Sequence, residues 1–352
     1  MLGLTIATIT LSGTMASAQE LPGLALELHR IRPLPAGVLP KHVPWLDKQL
    51  CISDEGHRLW WEERMVDTKT GQFTNVHAIE MPSRLSKGKG APVSVSWQQI
   101  PSAWAEEYGN INFPGCNVLT PVADRNDRIA FRTETDYRYL AGIEGATIKD
   151  TLSLVRRNSQ DPATNELVFR VDTGAAERSL QTAAPDLTRD VFLVVALDRS
   201  AGETKWWLAS SASRTQLVVP QALERAQPHI LDLNGRRAIG IVNEQVGTVF
   251  TRKPFLWRYP SGIVRVFTLP ADLLAPYRLN AIALIARDRL LCGFVRGDGQ
   301  NQDAGLLFVL NLETGTWEKV GDYMLQATSA SNRVLLLGQP WIDDRRWIVW
   351  LR

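Results

Sequence analysis

The sequence predicts an all-β fold, a six-bladed β-propeller closed by an N-terminal strand that completes the last blade. Three observations predict it. A polar turn followed by an apolar run recurs six times. Each repeat divides into four short strands. The last repeat holds three strands, and one unassigned strand precedes the first repeat.

The recurring element is a turn of Asp, Asn or Gly with an Arg at or beside it, then four to seven apolar residues. Asp54-Glu55-Gly56-His57-Arg58 precedes Leu59-Trp60-Trp61, and Asp127-Arg128 precedes Ile129-Ala130-Phe131. Arg189-Asp190 precedes Val191 to Val195, and Asn234-Gly235-Arg236-Arg237 precedes Ala238 to Val242. Asp288-Arg289 precedes Leu290 to Phe294, and Asn332-Arg333 precedes Val334 to Leu337. The marker arginines 58, 128, 189, 237, 289 and 333 lie 44 to 70 residues apart, with a mean of 55. Six units of about that length use all of residues 19–352, which predicts a single domain.

The fifth unit resolves most clearly. Its strands are Asn280 to Ile285, Arg289 to Val295, Leu306 to Leu312 and Thr316 to Val320, with Thr314-Gly315 as a two-residue hairpin turn. The fourth repeats this with His229 to Leu233, Arg237 to Asn243, Phe255 to Tyr259 and Gly262 to Leu269. The second does so with Cys116 to Ala123, Arg128 to Glu134, Asp150 to Arg157 and Glu166 to Val171. Short β-branched and aromatic runs between turn signals mean antiparallel sheet. In the sixth unit Leu325 to Ser331, Arg333 to Gly338 and Arg345 to Leu351 are strands. Leu24 to Ile31 alternates apolar and polar, as a half-buried outer strand does, and fits the vacant place. A pair of β-sandwiches is the competing architecture, and it leaves the sixfold marker unexplained.

Two local resemblances accompany the repeat. Leu306 to Val320, with Asn311-Leu312-Glu313-Thr314-Gly315-Thr316-Trp317, resembles the end of a kelch repeat, although the double glycine that opens such a repeat is absent from every unit. Asp54, Gly56 and Trp60 resemble the aspartate box of sialidase-like propellers, with the Trp one place late and Ser53 one place early. Both imply a propeller in general and no particular family.

Composition narrows the function classes. Lys plus Arg is 39 and Asp plus Glu 37, a balance that excludes a dedicated nucleic-acid surface. A hydrophobic content of 45% excludes disorder. Twelve Trp suit wide packed layers, and also flat platforms for sugars or peptides. Leu2 to Met15 is apolar and uncharged, and Ala16-Ser17-Ala18 is a small-x-small cleavage pattern. Residues 1–18 therefore read as a signal peptide lacking its usual basic start, and the mature protein as soluble and secreted or periplasmic. No later run is long enough for a membrane span.

Catalytic and metal signatures are sparse. Cys51, Cys116 and Cys292 are too far apart in sequence for a zinc knuckle or redox pair and read as buried thiols. His29, His42, His57, His77 and His229 contain no His-x-x-x-His pair, and no nucleophile elbow, Walker loop or dinucleotide fingerprint occurs. No cofactor and no metal site is predicted.

Short, alike turns between first and second strands mark a scaffold face. The long, varied loops open on the opposite face, where recognition resides. They are residues 101–115, 135–149, 244–254, 296–305 and 341–344, and their candidate ligand-binding residues are Trp104, Glu106, Glu107, Tyr108, Asp136, Tyr137, Arg138, Arg252, Asp298, Asp303, Trp341 and Asp343. Aromatic rings beside carboxylates and guanidinium groups suit a sugar or an acidic peptide. Residues 80–115, with Lys87-Gly88-Lys89-Gly90, break the period and are a place for specificity. The sequence thus predicts an exported scaffold binding a carbohydrate, peptide or protein partner. The alternative is a hydrolase or lyase for a sugar or lactone, using Glu106, Glu107, Asp136, Asp298, Asp303, Asp343 and Asp344 at the loop-rich mouth.

Overall fold

A computed structural model describes residues 21, 23–34, 51–52, 54, 56, 58–66, 73–80, 93–97, 116–123, 129–135, 151–157, 165–172, 178–198, 203–224, 226–246, 249–259, 261–273, 276–296, 304–339, 341 and 345–352. They form six four-stranded antiparallel sheets. The first sheet is β2 (Cys51–Ile52), β3 (Arg58–Val66), β4 (Phe73–Glu80) and β5 (Val93–Trp97). The second is β6 (Cys116–Ala123), β7 (Ile129–Thr135), β8 (Thr151–Arg157) and β9 (Asn165–Asp172). The third is β10 (Arg178–Pro185), β11 (Phe192–Asp198), β12 (Glu203–Ala209) and β13 (Arg214–Leu217). The fourth is β14 (Ala226–Asp232), β15 (Arg237–Val246), β16 (Val249–Arg258) and β17 (Ile263–Val266). The fifth is β18 (Tyr277–Ala286), β19 (Arg289–Arg296), β20 (Ala304–Asn311) and β21 (Trp317–Gly321). The sixth is β22 (Met324–Thr328), β23 (Val334–Gln339) and β24 (Arg345–Leu351), with β1 (Leu28–Pro33) on the outer side of β24. The first strand of each sheet touches the first strand of the next, and β22 of the sixth touches β2 of the first.

The second strands of the third to sixth sheets hold apolar runs because each lies between two neighbouring sheets and is buried on both faces. In β15, Ile239 and Ile241 face the fifth sheet in a core with Leu279, Ile282 and Phe294, while Ala238 and Val242 face the third in a core with Trp206 and Phe255. In β19, Leu290, Cys292 and Phe294 face the fourth sheet, and Leu291 faces the sixth beside Leu325, Leu335 and Leu337. The alternation of period two thus supplies two hydrophobic interfaces from one strand. Glycines permit the closest approach between the fifth and sixth sheets. A Cβ at Gly293 would stand 2.7 Å from Leu325 Cβ, and one at Gly305 2.8 Å from Met324 N.

Several strand limits differ from the sequence expectation. The first strands of the fourth and fifth sheets begin at Ala226 and Tyr277 rather than at His229 and Asn280. Both polar residues lie inside the strand, at β-bulges between Pro228 and Ile230 and between Leu279 and Ala281. Residues 244–254 are not a loop. β15 and β16 continue as a hairpin to a pair between Val246 and Val249, because Val246, Val249, Phe250 and Thr251 favour extended backbone. The Thr314-Gly315 turn is wider than predicted. Asn311 N–H donates to Thr316 O (2.9 Å) and Gly315 N–H to Asn311 O (2.8 Å). The Asn311 carboxamide oxygen accepts the N–H groups of Glu313 and Thr314, and Gly315 supplies the left-handed residue at φ 81°. Leu312 is drawn into the core and lengthens the loop.

Candidate binding face

The turns between first and second strands are joined to one another by hydrogen bonds between sheets. Asp186 is 2% exposed. Its Oδ1 accepts Thr188 N–H (2.8 Å), Thr188 Oγ1–H (2.7 Å) and Arg189 N–H (2.5 Å) from its own turn. Its Oδ2 accepts Leu233 N–H of the fourth sheet at 2.8 Å. Asn332 repeats the device toward the fifth sheet, its carboxamide oxygen accepting Leu284 N–H at 3.3 Å. Asp54 does so between the first and sixth sheets, accepting Ser331 N–H at 2.9 Å. The marker Arg237 holds Asp232 at 2.7 Å and donates to Arg287 O on the fifth sheet. Burial pushes the Asp232 carboxyl up, but the Arg237 hydrogen bond, the Gly235 N–H and the charges of Arg237 and Arg287 outweigh it and hold it below its ordinary value. Asp54, Asp186, Asn332 and Arg237 are therefore latches between sheets. Gly56, at φ 72° in the turn that resembles an aspartate box, lies against the Trp350 ring of the sixth sheet, where a Cβ would be 2.3 Å from a ring carbon.

The opposite ends of the strands carry different chemistry. The β15–β16 hairpin presents Arg252, half-buried and paired in register with Asn243, and an ion pair between Lys253 and Glu244. The Arg296 guanidinium lies over the Tyr277 ring, 5.9 Å from its centroid. Gln339 donates to Asp322 O at 2.8 Å. Trp341 is half-buried.

Of the sequence candidates, Arg252 and Trp341 are described, Arg252 on a strand and Trp341 in a turn. Trp104, Glu106, Glu107, Tyr108, Asp136, Tyr137, Arg138, Asp298, Asp303 and Asp343 lie outside the described residues, as do Asp344, residues 1–18 and Lys87 to Gly90. The carboxylate cluster behind the hydrolase alternative lies there in full.

Arg252 acts on His229, which lies on a first strand and outside the long loops. His229 on β14 is surrounded by protein, yet its side chain keeps solvent-exposed surface. Desolvation, then the charge of Arg252, lowers its pKa to about 4, so the ring is neutral at pH 7. Asn280 and Gln326, on the first strands of the fifth and sixth sheets, are 5% and 6% exposed. Neither end of the Asn280 carboxamide has a hydrogen-bond partner, nor does Gln326 Oε1. The signal that finds these residues is a lone polar side chain inside an otherwise apolar first strand.

Cys292 is buried in β19, and burial pushes its thiol well above its ordinary range, so it is inert. Among the described residues no group of three His, Cys, Asp or Glu is placed to hold a metal ion, and no helix is long and apolar enough to cross a membrane.

No family model and no curated protein sequence matches the chain. Among solved structures it is similar to TolB from Acinetobacter baumannii, with a TM-score of 0.48 and 11% identity, covering 84% of this chain and 64% of that one. It is similar to the β-propeller domain of the Trilobed protease from Pyrococcus furiosus, with a TM-score of 0.45 and 6% identity, covering 86% and 95%. It is also similar to prolyl oligopeptidase B from Galerina marginata, with a TM-score of 0.46 and 9% identity, covering 83% of this chain and 38% of that one. The chain thus spans less than two thirds of the TolB and oligopeptidase chains. Likenesses at this level carry no argument about function.

Proposed function

We propose that residues 19–352 form a six-bladed β-propeller, with β1 completing the last blade, and that the protein is an exported binding scaffold for a carbohydrate, peptide or protein ligand. Three features support the ring. There are six sheets of like topology. Their first strands touch in cyclic order. β1 pairs with β24. Residues 1–18 fit as the export signal, which places the mature chain in the periplasm or outside the cell.

The observation that carries the binding reading is the difference between the two faces. The turn face uses Asp54, Asp186, Asp232, Arg237 and Asn332 to tie sheet to sheet. Those five groups are engaged within the protein. The opposite face carries Arg252, Arg296, Tyr277 and Trp341 at strand ends and long connections between sheets. A rigid latched base beneath variable loops is how a scaffold positions recognition groups.

The test compares the two faces. Arg252→Glu and Trp341→Ala alter the loop face, and Arg289→Ala alters an exposed residue of the turn face. Binding to immobilised glycans and peptides is measured for each variant. Loss of binding confined to the loop-face variants supports the reading. Equal effects from both faces, or no ligand for the wild type, overturn it.

A further inference from the structure

The first strand of each sheet is hydrogen-bonded on one side only, and in the ring proposed above its free edge borders the axis. In the third to sixth sheets the register of this strand skips a residue, and β18 skips a second one between Leu284 and Ala286. The register skips between Leu180 and Thr182, Pro228 and Ile230, Leu279 and Ala281, and Leu325 and Ala327. A β-bulge inserts one residue and re-aims its side chain. The inserted residues are Gln181, His229, Asn280 and Gln326. All are polar, in strands otherwise dominated by apolar residues.

The cores show where these side chains are not. Leu279 and Ile282 lie in the same core between the fourth and fifth sheets, although an uninterrupted strand would put them on opposite faces. Ala281 packs on the core between the fifth and sixth sheets. The change of face falls at Asn280. Ala226 and Leu231 repeat the pattern around His229. Glycine stands on the second strand beside the bulge in three successive sheets: Gly240 opposite Pro228, Gly293 opposite Ala281, and Gly338 opposite Met324. A Cβ at Gly338 would lie 2.8 Å from Gln326 Oε1, so the glycine makes room for the carboxamide.

Burying a carboxamide without partners is costly, and native proteins rarely leave such groups unmatched without a reason. Here Asn280 Oδ1 and Nδ2 and Gln326 Oε1 are unmatched at equivalent places in adjacent sheets. A repeated deficit at one level of a ring is the mark of a site prepared for something outside the chain.

We propose that the bulged residues His229, Asn280 and Gln326 form an axial subsite for a small carbohydrate. This rests on the ring and binding readings given above. A hydroxyl group both donates and accepts at one atom, so it satisfies a carboxamide oxygen or nitrogen equally well. The bulged groups are a glutamine, an asparagine and an imidazole, side chains without formal charge of their own that suit uncharged hydroxyls better than an ion. The narrow placement favours one or two sugar rings over a chain.

The full-length protein is titrated with glucose, galactose, N-acetylglucosamine, cellobiose and chitobiose, with capped dipeptides as the competing class, by calorimetry and saturation-transfer NMR. Asn280→Ala and Gln326→Ala, with Gln326→Met as a near-isosteric second variant, are measured beside the wild type. The expected result is sugar binding that weakens at least tenfold in each variant, with a thermal midpoint unchanged or raised, because an unpartnered buried amide contributes nothing to stability. Sugar binding of wild-type strength in the variants moves the ligand to the outer loops, overturning the axial subsite and leaving the binding scaffold intact. Preference for the dipeptides overturns the carbohydrate assignment. Lowered stability in the variants with no sugar bound by the wild type shows that the amides hold internal water, and also overturns the proposal. Failure of the loop-face comparison above is a separate result.

Discussion

Replacing Asp186 tests whether the turn motif is a latch between sheets or an ordinary exposed turn. The carboxylate is 2% exposed and accepts four hydrogen bonds, three within its turn and one from Leu233 N–H of the next sheet. Asp186→Ala leaves three backbone N–H groups without their acceptor. Those of Thr188 and Arg189 lie at half-buried and exposed residues, where water takes up part of the loss. Charge-assisted hydrogen bonds contribute about 1.5–3 kcal/mol and a buried unmatched donor costs about 1–3 kcal/mol, so the expected destabilisation is about 3 kcal/mol. Asp186→Asn separates the two parts. It keeps an acceptor for the turn and places an amide donor against Leu233 N–H, so it should cost about 1–2 kcal/mol, confined to the contact between sheets. The assay is urea unfolding followed by tryptophan fluorescence. Trp206 and Trp257, in edge-to-face contact at 5.8 Å in the core between the third and fourth sheets, report on that interface. Hydrogen exchange at Leu233 should accelerate in both variants. Two results refute the latch: both variants within 0.5 kcal/mol of wild type, the usual range for surface substitutions, or an unchanged Leu233 amide in Asp186→Asn.

Other outcomes follow from the same structure. Gly305→Ala places a Cβ 2.8 Å from Met324 N and 2.9 Å from Tyr323 C, both backbone atoms, so the sixth sheet must shift; a loss of about 1–3 kcal/mol is expected in denaturant unfolding. Arg237→Gln removes the group that holds Asp232 below its ordinary carboxylate value. The stability from that lowering is present above the unfolded carboxylate pKa and lost as pH falls through the folded one, so wild type and variant should converge in unfolding experiments on acidification. His229 is lowered to about 4 in the folded protein, against 6.5 as the ordinary value. Unfolded chains therefore bind the proton first, and stability should fall as pH drops from 6.5 to 4 and level off below; His229→Gln should flatten that slope in a pH series of thermal midpoints.

Much of the architecture was legible in the sequence because the repeat is a physical necessity of the fold. A strand buried between two sheets must be apolar on both faces, which gives Val191 to Val195, Leu290 to Phe294 and Val334 to Leu337 their unbroken runs. The run Arg345 to Leu351 and the count of four strands per unit were readable for the same reason. The turns at Asp54 and Asn332 were legible as turns; that their oxygens, and that of Asp186, bond to the next sheet was not, because the partner lies far along the chain. The hairpin extension to Val246 and Val249 was not, because Glu244, Gln245, Arg252 and Lys253 read as loop by polarity while strand pairing overrides composition. The first strands were misjudged in the same way. A polar residue in an apolar run reads as a boundary, so His229 and Asn280 were taken as strand starts, although the ladder runs through them.

By itself the sequence determined the class of fold and the recurring turn-and-strand pattern, since each depends on residue type and spacing along the chain. The axial candidates were decided only in three dimensions. A bulge is a mismatch between two strands and exists in neither alone, so the register skips at Asn280 and Gln326 follow from pairing with β19 and β23. The neutrality of His229 likewise depends on burial and on Arg252, distant in sequence and near in space.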